Sequence, residues 1–211
     1  MNEITVLAMS GSIRRASHNT ALLRAAQRNG PPGLSIDLYT GLADLPHYNQ
    51  DHDGDHPSEP VVDLRAAIAA ADGLLIASPE YNHSVPGVLK NALDWASRPN
   101  PGSCLVGKPI AVMGASPGNF GTARGQLALR QVLVATRSHV LVYPELLVFG
   151  AHRRFDDAGN LTDATTLTLL DDLLVRFRDE ISSRQHRENS FSANGTVRVT
   201  PHFGAEESRA P

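Results

Sequence analysis

The stretch Ser10-Gly11-Ser12-Ile13-Arg14-Arg15-Ala16-Ser17-His18-Asn19 gathers the densest set of side chains able to hold a ligand. Before it lies Ile4-Thr5-Val6-Leu7-Ala8-Met9, an apolar run of strand length, and after it Thr20-Ala21-Leu22-Leu23-Arg24-Ala25-Ala26 reads as helix. A loop between a buried strand and a helix start brings free backbone N–H groups and the positive end of the helix dipole together, which favours an anion. Ser10, Ser12, Ser17, Asn19 and Thr20 add neutral donors, while Arg14 and Arg15 add charge with planar donor geometry. Such a set suits a terminal phosphate monoester. A triphosphate loop would end in Gly-Lys-Ser/Thr, and this one does not. The same residues also fit a serine-rich turn that closes on a helix cap at Ser17 or Asn19.

Two later loops share the setting. Gly73-Leu74-Leu75-Ile76-Ala77 is a short, fully apolar strand, as in a central parallel sheet. It runs into Ser78-Pro79-Glu80-Tyr81-Asn82-His83-Ser84, and a helix follows from about Pro86 to Ala96. Pro109-Ile110-Ala111-Val112-Met113 reads as the fourth strand and exits through Gly114-Ala115-Ser116-Pro117-Gly118-Asn119-Phe120-Gly121, before a helix to about Thr136. Leu34–Tyr39 alternates as a more exposed second strand, Val61–Ala71 as a helix, and His139–Tyr143 as a fifth strand that Leu146–Phe149 could extend past Pro144. A last helix, about Asp163 to Ser183, places Leu167, Leu170, Leu173, Leu174, Phe177 and Ile181 on one face. This alternation predicts an α/β fold, a parallel sheet covered on both faces, with ligands beyond the carboxyl ends of its strands. All three polar loops fall on that edge.

The composition agrees with one such domain. The chain has 211 residues, a formal net charge of -3 and a single cysteine, Cys104. That charge implies no broad affinity for nucleic acid or a membrane surface. One cysteine can form neither an internal disulfide nor a thiolate metal site, which fits a reducing, cytoplasmic compartment. No basic-then-apolar signal segment opens the chain, and no apolar run reaches the roughly 18 residues of a membrane helix. The loop His47–His56 is rich in His and Asp but fails the calcium-loop template: His56 stands where glycine belongs and Val62 where glutamate belongs, so no metal is expected. From Gln185 to Pro211 large apolar residues are few, which predicts a flexible tail beyond a domain spanning residues 1–184.

Four blocks carry a resemblance. Gly11-Ser12-x-Arg14-x-x-Ser17-x-Asn19 is similar to the phosphate loop of the NADPH-dependent FMN reductase family. Leu45-Pro46-x-Tyr48-Asn49-x-Asp51, the run Ser78–Trp95, and Gly114-Ala115-Ser116-x-Gly118-x-x-Gly121-x-x-Arg124-x-Gln126-x-x-Leu129-Arg130 resemble that family as well. The likeness implies a flavodoxin-like, doubly wound five-stranded parallel sheet in the order 2-1-3-4-5. It implies non-covalent FMN, NADPH or NADH as donor, quinone, azo, flavin or chromate acceptors, and a homodimer or homotetramer. It assigns Ser10, Ser12, Arg14, Ser17, Asn19 and Thr20 to the FMN phosphate. Pro79, Glu80, Tyr81, Asn82 and Ser84 would line the isoalloxazine, and Ser116, Gly118 and Gly121 its pyrimidine edge. No side chain is expected to act as acid or base. Arg124, Arg130 and Glu145 could pair across a subunit interface, and Leu127 departs from relatives that carry tyrosine there. Two rivals from other classes are a one-electron carrier of the flavodoxin type, which the modest charge disfavours, and a flavin-binding regulatory protein without turnover.

Overall fold

The computed structural model describes residues 3–193 except 55, 100 and 101, with the backbone alone for 188 and 191–193. Its elements run β1 (Ile4–Ser10), α1 (His18–Arg28), β2 (Leu34–Tyr39), α2 (Glu59–Ala70), β3 (Gly73–Ala77), α3 (Gly87–Ala96), β4 (Pro109–Ala115), α4 (Ala123–Ala135), β5 (His139–Val140), β6 (Leu146–Val148) and α5 (Ala164–Ala193). The sheet order is β2-β1-β3-β4-β5, with β6 also on β4, and every pairing is parallel.

The continuous apolar runs of the central strands follow from burial on both faces. Val6, Ala8, Leu75, Ala111 and Met113 point to one side, where Leu22 and Leu23 of α1 meet Leu170, Leu173, Leu174, Phe177 and Ile181 of α5. Their neighbours Leu7, Met9, Leu74, Ile76, Ile110 and Val112 point to the other, against Leu64 and Ile68 of α2, Leu89, Leu93 and Trp95 of α3, and Leu129 and Leu133 of α4. Side chains alternate along a strand, so neither face could be polar without opening a core.

Two expectations change. The fifth strand is broken: His139–Val140 pairs with Pro109–Ile110, and Leu146–Val148 pairs with Met113–Ala115. Between them Arg130 Nη1 donates to the Leu141 carbonyl at 2.9 Å, Val142 and Tyr143 face solvent, and Pro144 has no N–H to give the ladder. The last helix does not stop near Ser183 but continues to Ala193. Asp163 opens it by accepting from Thr166 N at 2.9 Å. Past Ser183, Arg184 Nε reaches Glu180 at 2.6 Å, and Gln185 Nε2 reaches Asp72 Oδ1 at 2.9 Å. A local ion pair and an anchor on the sheet thus carry the helix into the stretch expected as tail. The rest of that stretch, residues 194–211, lies outside the described residues.

Gly114, near the end of β4, has no room for a side chain: a Cβ there would stand 2.1 Å from Thr122 Oγ1 and 2.5 Å from the Ser78 carbonyl. Neither a backbone carbonyl nor a buried threonine can retreat cheaply. Gly114→Ala should therefore destabilise the fold by about 3 kcal/mol or more, read as a lower urea midpoint at unchanged slope. An unchanged midpoint would show that the β3 and β4 exits are not locked together at this glycine.

Candidate functional site

The loops after β1, β3 and β4 meet at the carboxyl edge of the sheet. Gly11 N donates to Ala77 O at 2.8 Å, Ser78 N to Met113 O at 2.9 Å and Ser116 N to Val148 O at 2.9 Å. Each loop is thus tied at its root to the adjacent strand.

The first loop is hydrogen-bonded to itself. Ser17 caps α1, its Oγ accepting from Thr20 N at 3.3 Å. Ser10 Oγ donates to the Ser12 carbonyl at 3.1 Å and lies 2.8 Å from Thr20 Oγ1. Ser12 Oγ accepts from Arg14 N at 3.4 Å. The hydroxyls of Ser10 and Thr20 therefore shape the loop from within, while Arg14 and Arg15 are exposed, and among the described residues neither forms an ion pair. First-turn N–H groups of α1 and the exposed Arg14 and Arg15 belong to one loop and helix start, a donor set that fits a phosphate monoester. His18, the first residue of α1, has its pKa lowered by burial, then by Arg14 and by His152.

Asn19, expected at the phosphate, commits its carboxamide within the protein. Its side chain is 3% exposed and turned away from the mouth: Nδ2 donates to the Ala115 carbonyl and Oδ1 accepts from Ala115 N, both at 2.9 Å. The carboxamide clamps the head of α1 to the end of β4, leaving only its backbone N–H for a ligand.

The Glu80 side chain also makes a tie within the protein. Its Oε2 accepts from Gly125 N at 2.9 Å, and its Oε1 lies 3.7 Å from Arg124 Nη1. Thr122 enters α4 in a left-handed conformation and makes no side-chain cap, so Glu80, reaching across from the β3 loop, caps the helix and complements its dipole. Gly125 keeps that approach open, because a Cβ there would meet Glu80 Cβ at 3.1 Å. Beyond Glu80 the chain turns tightly. Tyr81 and Ser84 exchange both backbone bonds at 3.2 and 3.0 Å, around Asn82 at φ 50 and His83 at φ 61. Positive φ at both central residues marks a type I′ turn. It leaves Pro79 at its base and Tyr81 half exposed.

The third loop is built from small residues. Ser116 Oγ accepts from Gly118 N at 3.1 Å, the Gly118 carbonyl accepts from Gly150 N at 3.1 Å, and the Ser116 carbonyl accepts from Ala151 N at 3.0 Å. Gly121 has φ 55, and a Cβ there would strike the Leu147 backbone at 2.9 Å. Phe120 stands on the rim with the Arg124 guanidinium 4.1 Å from its ring centre.

The Leu45–Asp51 block, singled out by resemblance alone, has a structural task. Tyr48 N donates to Asn91 Oδ1 at 2.7 Å, while Asn91 Nδ2 and Trp95 Nε1 both donate to the Pro46 carbonyl, at 2.9 and 2.8 Å. Tyr48 stands edge-on to Trp95 with ring centres 4.9 Å apart. These bonds staple the loop after β2 onto α3. Sequence gave no signal for the pairing, since neither partner's type is restricted to it. Arg130 Nε and Glu145 Oε1 lie 3.6 Å apart within the chain, and Lys90 binds Asp94 at 2.6 Å along α3.

An open parallel sheet with three ligand-competent loops at its carboxyl edge, one of them shaped for phosphate, defines a flavodoxin-like mononucleotide-binding protein. The family model described as NADPH-dependent FMN reductase matches residues 4–152, and the chain belongs to that family. It is 48% identical over 162 residues to the NAD(P)H-dependent FMN reductase of Pseudomonas aeruginosa, covering 77% of this chain and 86% of that protein. It is 39% identical to the 2-hydroxy-1,4-benzoquinone reductase of a Burkholderia species, covering 86% and 98% respectively. Among solved structures, FerB, a flavoenzyme NAD(P)H:(acceptor) oxidoreductase of Paracoccus denitrificans, superposes with a TM-score of 0.78 at 37% identity, over 85% of this chain and 98% of that one.

Removing the Asn19 carboxamide would leave a buried N–H and a buried carbonyl of Ala115 unpaired. Asn19→Ala should cost about 2–4 kcal/mol of stability and should weaken flavin binding by loosening the first loop from the third. Denaturation and flavin titration of the same sample test this. Full stability with lost flavin would instead make Asn19 a direct ligand.

Proposed function

We propose that this protein is an FMN-dependent NAD(P)H oxidoreductase that passes two electrons to quinones and related acceptors such as azo compounds, free flavins or metal oxyanions. The observation that carries the reading is the convergence of the Arg14 loop, the Tyr81–Ser84 turn and the Ser116–Gly121 loop on one sheet edge. When bound, FMN would supply the redox chemistry, taking hydride from the nicotinamide and returning electrons to the acceptor.

The chain's own tasks are binding, orientation and access. Arg14, Arg15 and the α1 first turn would hold the phosphate, with Ser12 and Ser17 shaping that turn. Pro79, Tyr81, Asn82 and Ser84 would line the redox edge of the ring, with the Asn82 backbone N–H outside the mutual Tyr81–Ser84 pair. Ser116, Gly118 and Gly121 would let backbone donors approach the pyrimidine edge, where reduced flavin gathers negative charge. Glu80 and Asn19 act as positioning residues, through the α4 cap and the β4 clamp. The half-exposed Tyr81 and the exposed Phe120 give a flat acceptor an apolar rim, so the face over the ring stays open to more than one acceptor.

The reading extends to a cytoplasmic homodimer or homotetramer. Leu127 and Val134, one heptad apart on α4, leave apolar side chains in solvent, which supports a second copy on that side. Among the described residues no helix is long and apolar enough to cross a membrane.

Purified protein should show an oxidised-flavin visible spectrum and should oxidise NADPH or NADH in the presence of a quinone, faster with added FMN. FMN should bind far more tightly than riboflavin, and Arg14→Ala should lower FMN affinity by about 1.5–3 kcal/mol while leaving riboflavin unchanged. Flavin binding without nicotinamide oxidation would favour the regulatory reading. Equal affinity for the two flavins would reduce the first loop to a turn.

A further inference from the structure

We propose that Arg124, laid on the Phe120 ring at the rim of the site, is a specificity-determining residue for the electron donor. It takes a phosphate of the reduced nicotinamide dinucleotide, a group that a quinone lacks. The proposal rests on the oxidoreductase reading above and adds to it the residue that anchors the donor beyond its nicotinamide.

Contacts place this cation between two loops. Arg124 is the second residue of α4. Its guanidinium stands 4.1 Å from the centre of the Phe120 ring, which belongs to the loop after β4. Its Nη1 lies 3.7 Å from Oε1 of Glu80, which belongs to the loop after β3. Those are the two loops read above as the pyrimidine and redox edges of the ring site. Arg124 therefore stands where they adjoin, and a dinucleotide leaving the ring face across that rim meets it.

The ledge under the guanidinium is built at a cost. Phe120 keeps 62% of its surface in solvent, and its carbonyl accepts from Ala123 N at 3.0 Å. Between these two residues Gly121 and Thr122 are both left-handed, at φ 55 and φ 73. A β-branched residue in that region is an outlier, and such strain persists where the surroundings over-determine it, most often beside ligand sites. Thr122 is held by burial and by Gln126 Nε2, which donates to its Oγ1 at 3.1 Å. The consecutive left-handed pair turns the chain so that the aromatic ring underlies the arginine that follows.

The guanidinium is oriented but its donors are unspent. A cation in the first turn opposes the α4 dipole, so its position there is no gain to the helix. Glu80 offsets that cost: its Oε2 is committed to Gly125 N, while its Oε1 stays beyond hydrogen-bond distance of Arg124. Glu145, expected beside these arginines, lies 3.6 Å from Arg130 Nε instead. Among the described residues the Arg124 side chain donates no hydrogen bond. A planar fork steadied by an aromatic face and a distant carboxylate suits phosphate oxygens, and a lysine at the same place would lack the stack. The chain's net charge of -3 offers no general attraction for a multiply charged donor, so the attraction has to be local.

The test compares donors on the FMN-loaded full chain, with NADP+ binding followed by calorimetry as a readout independent of turnover. Arg124→Gln should raise KM for NADPH about tenfold at unchanged kcat and weaken NADP+ binding by the same factor. Dihydronicotinamide riboside, a donor without phosphate, should keep its KM. Arg124→Lys, which loses the stack, and Phe120→Leu, which removes the ledge, should each raise KM for NADPH by about threefold. Equal effects on NADPH and NADH assign the contact to the pyrophosphate, and a larger effect on NADPH assigns it to the 2′-phosphate. In the wild type KM for NADPH should rise with salt while that for the riboside stays constant. A flat salt response for NADPH overturns the proposal whatever the variants do. So does an unchanged KM for NADPH in Arg124→Gln, an equal rise for the riboside, or a loss of oligomeric mass by light scattering, which would make Arg124 a subunit contact. In each of those cases nicotinamide oxidation by the wild type leaves the oxidoreductase reading standing. A wild type that oxidises no nicotinamide donor overturns both.

Discussion

The double hydrogen bond between the Asn19 carboxamide and the backbone of Ala115 is the constraint on which the site geometry depends. It joins residues 96 positions apart and ties a loop after the first strand to the end of the fourth. The phosphate and the ring of a flavin mononucleotide lie at opposite ends of a ribityl chain, so loops that would hold them both must keep a separation within that chain's reach. Burial makes the clamp stiff: water cannot substitute for either bond, and sliding α1 against β4 would strand two backbone groups at once. A neutral amide does this without placing a charge beside an anion site. The Glu80 carboxylate makes the second tie, from the β3 loop to the start of α4, where a helix dipole favours negative charge. It stays clear of the phosphate mouth because it belongs to a different loop. Three loops that could move independently become one body.

The architecture was legible because burial on both faces leaves an unmistakable pattern. The apolar runs Val6–Met9, Leu74–Ala77 and Ile110–Met113, alternating with helical periods, admit little besides a covered parallel sheet, and the sheet dictates which edge carries the loops. The polar ties were not legible, for a physical reason. Asn19 has the same donors and acceptors whether it meets a phosphate or a backbone amide, and only the approach of β4 decides. Glu80 is likewise as good a surface carboxylate as a helix cap until α4 is placed. The break in the fifth strand was half visible in Pro144, but the part played by Arg130, which takes the Leu141 carbonyl out of the ladder, needed three dimensions. The run of α5 to Ala193 was hidden because its support, Asp72 with Gln185, lies 113 positions apart in the chain.

The Tyr81–Ser84 turn bears on the choice between an enzyme and a one-electron carrier. A carrier of the flavodoxin type gains from a peptide beside the ring that can rotate when the ring changes protonation, and such rotation is cheap only where glycine supplies the freedom. Here two residues other than glycine already occupy the left-handed region, at a cost of about 1–2 kcal/mol per ordinary residue that Asn82 and His83 bear better than most. Two mutual backbone bonds, the base at Pro79 and the start of α3 at Gly87 hold them there. Rotating the central peptide would break this arrangement and return nothing from within the turn. A fixed turn beside a bound ring would present the same backbone groups to it throughout, which suits paired electron transfer between two small molecules better than a single-electron relay between proteins. The surface agrees: a half-exposed tyrosine and an exposed phenylalanine border the mouth, and the net charge of -3 builds no acidic field to steer a basic protein partner. What this rim offers to a docking molecule is apolar area over a flat ring. A small aromatic acceptor can use that area fully, whereas a protein partner would need a much larger complementary face.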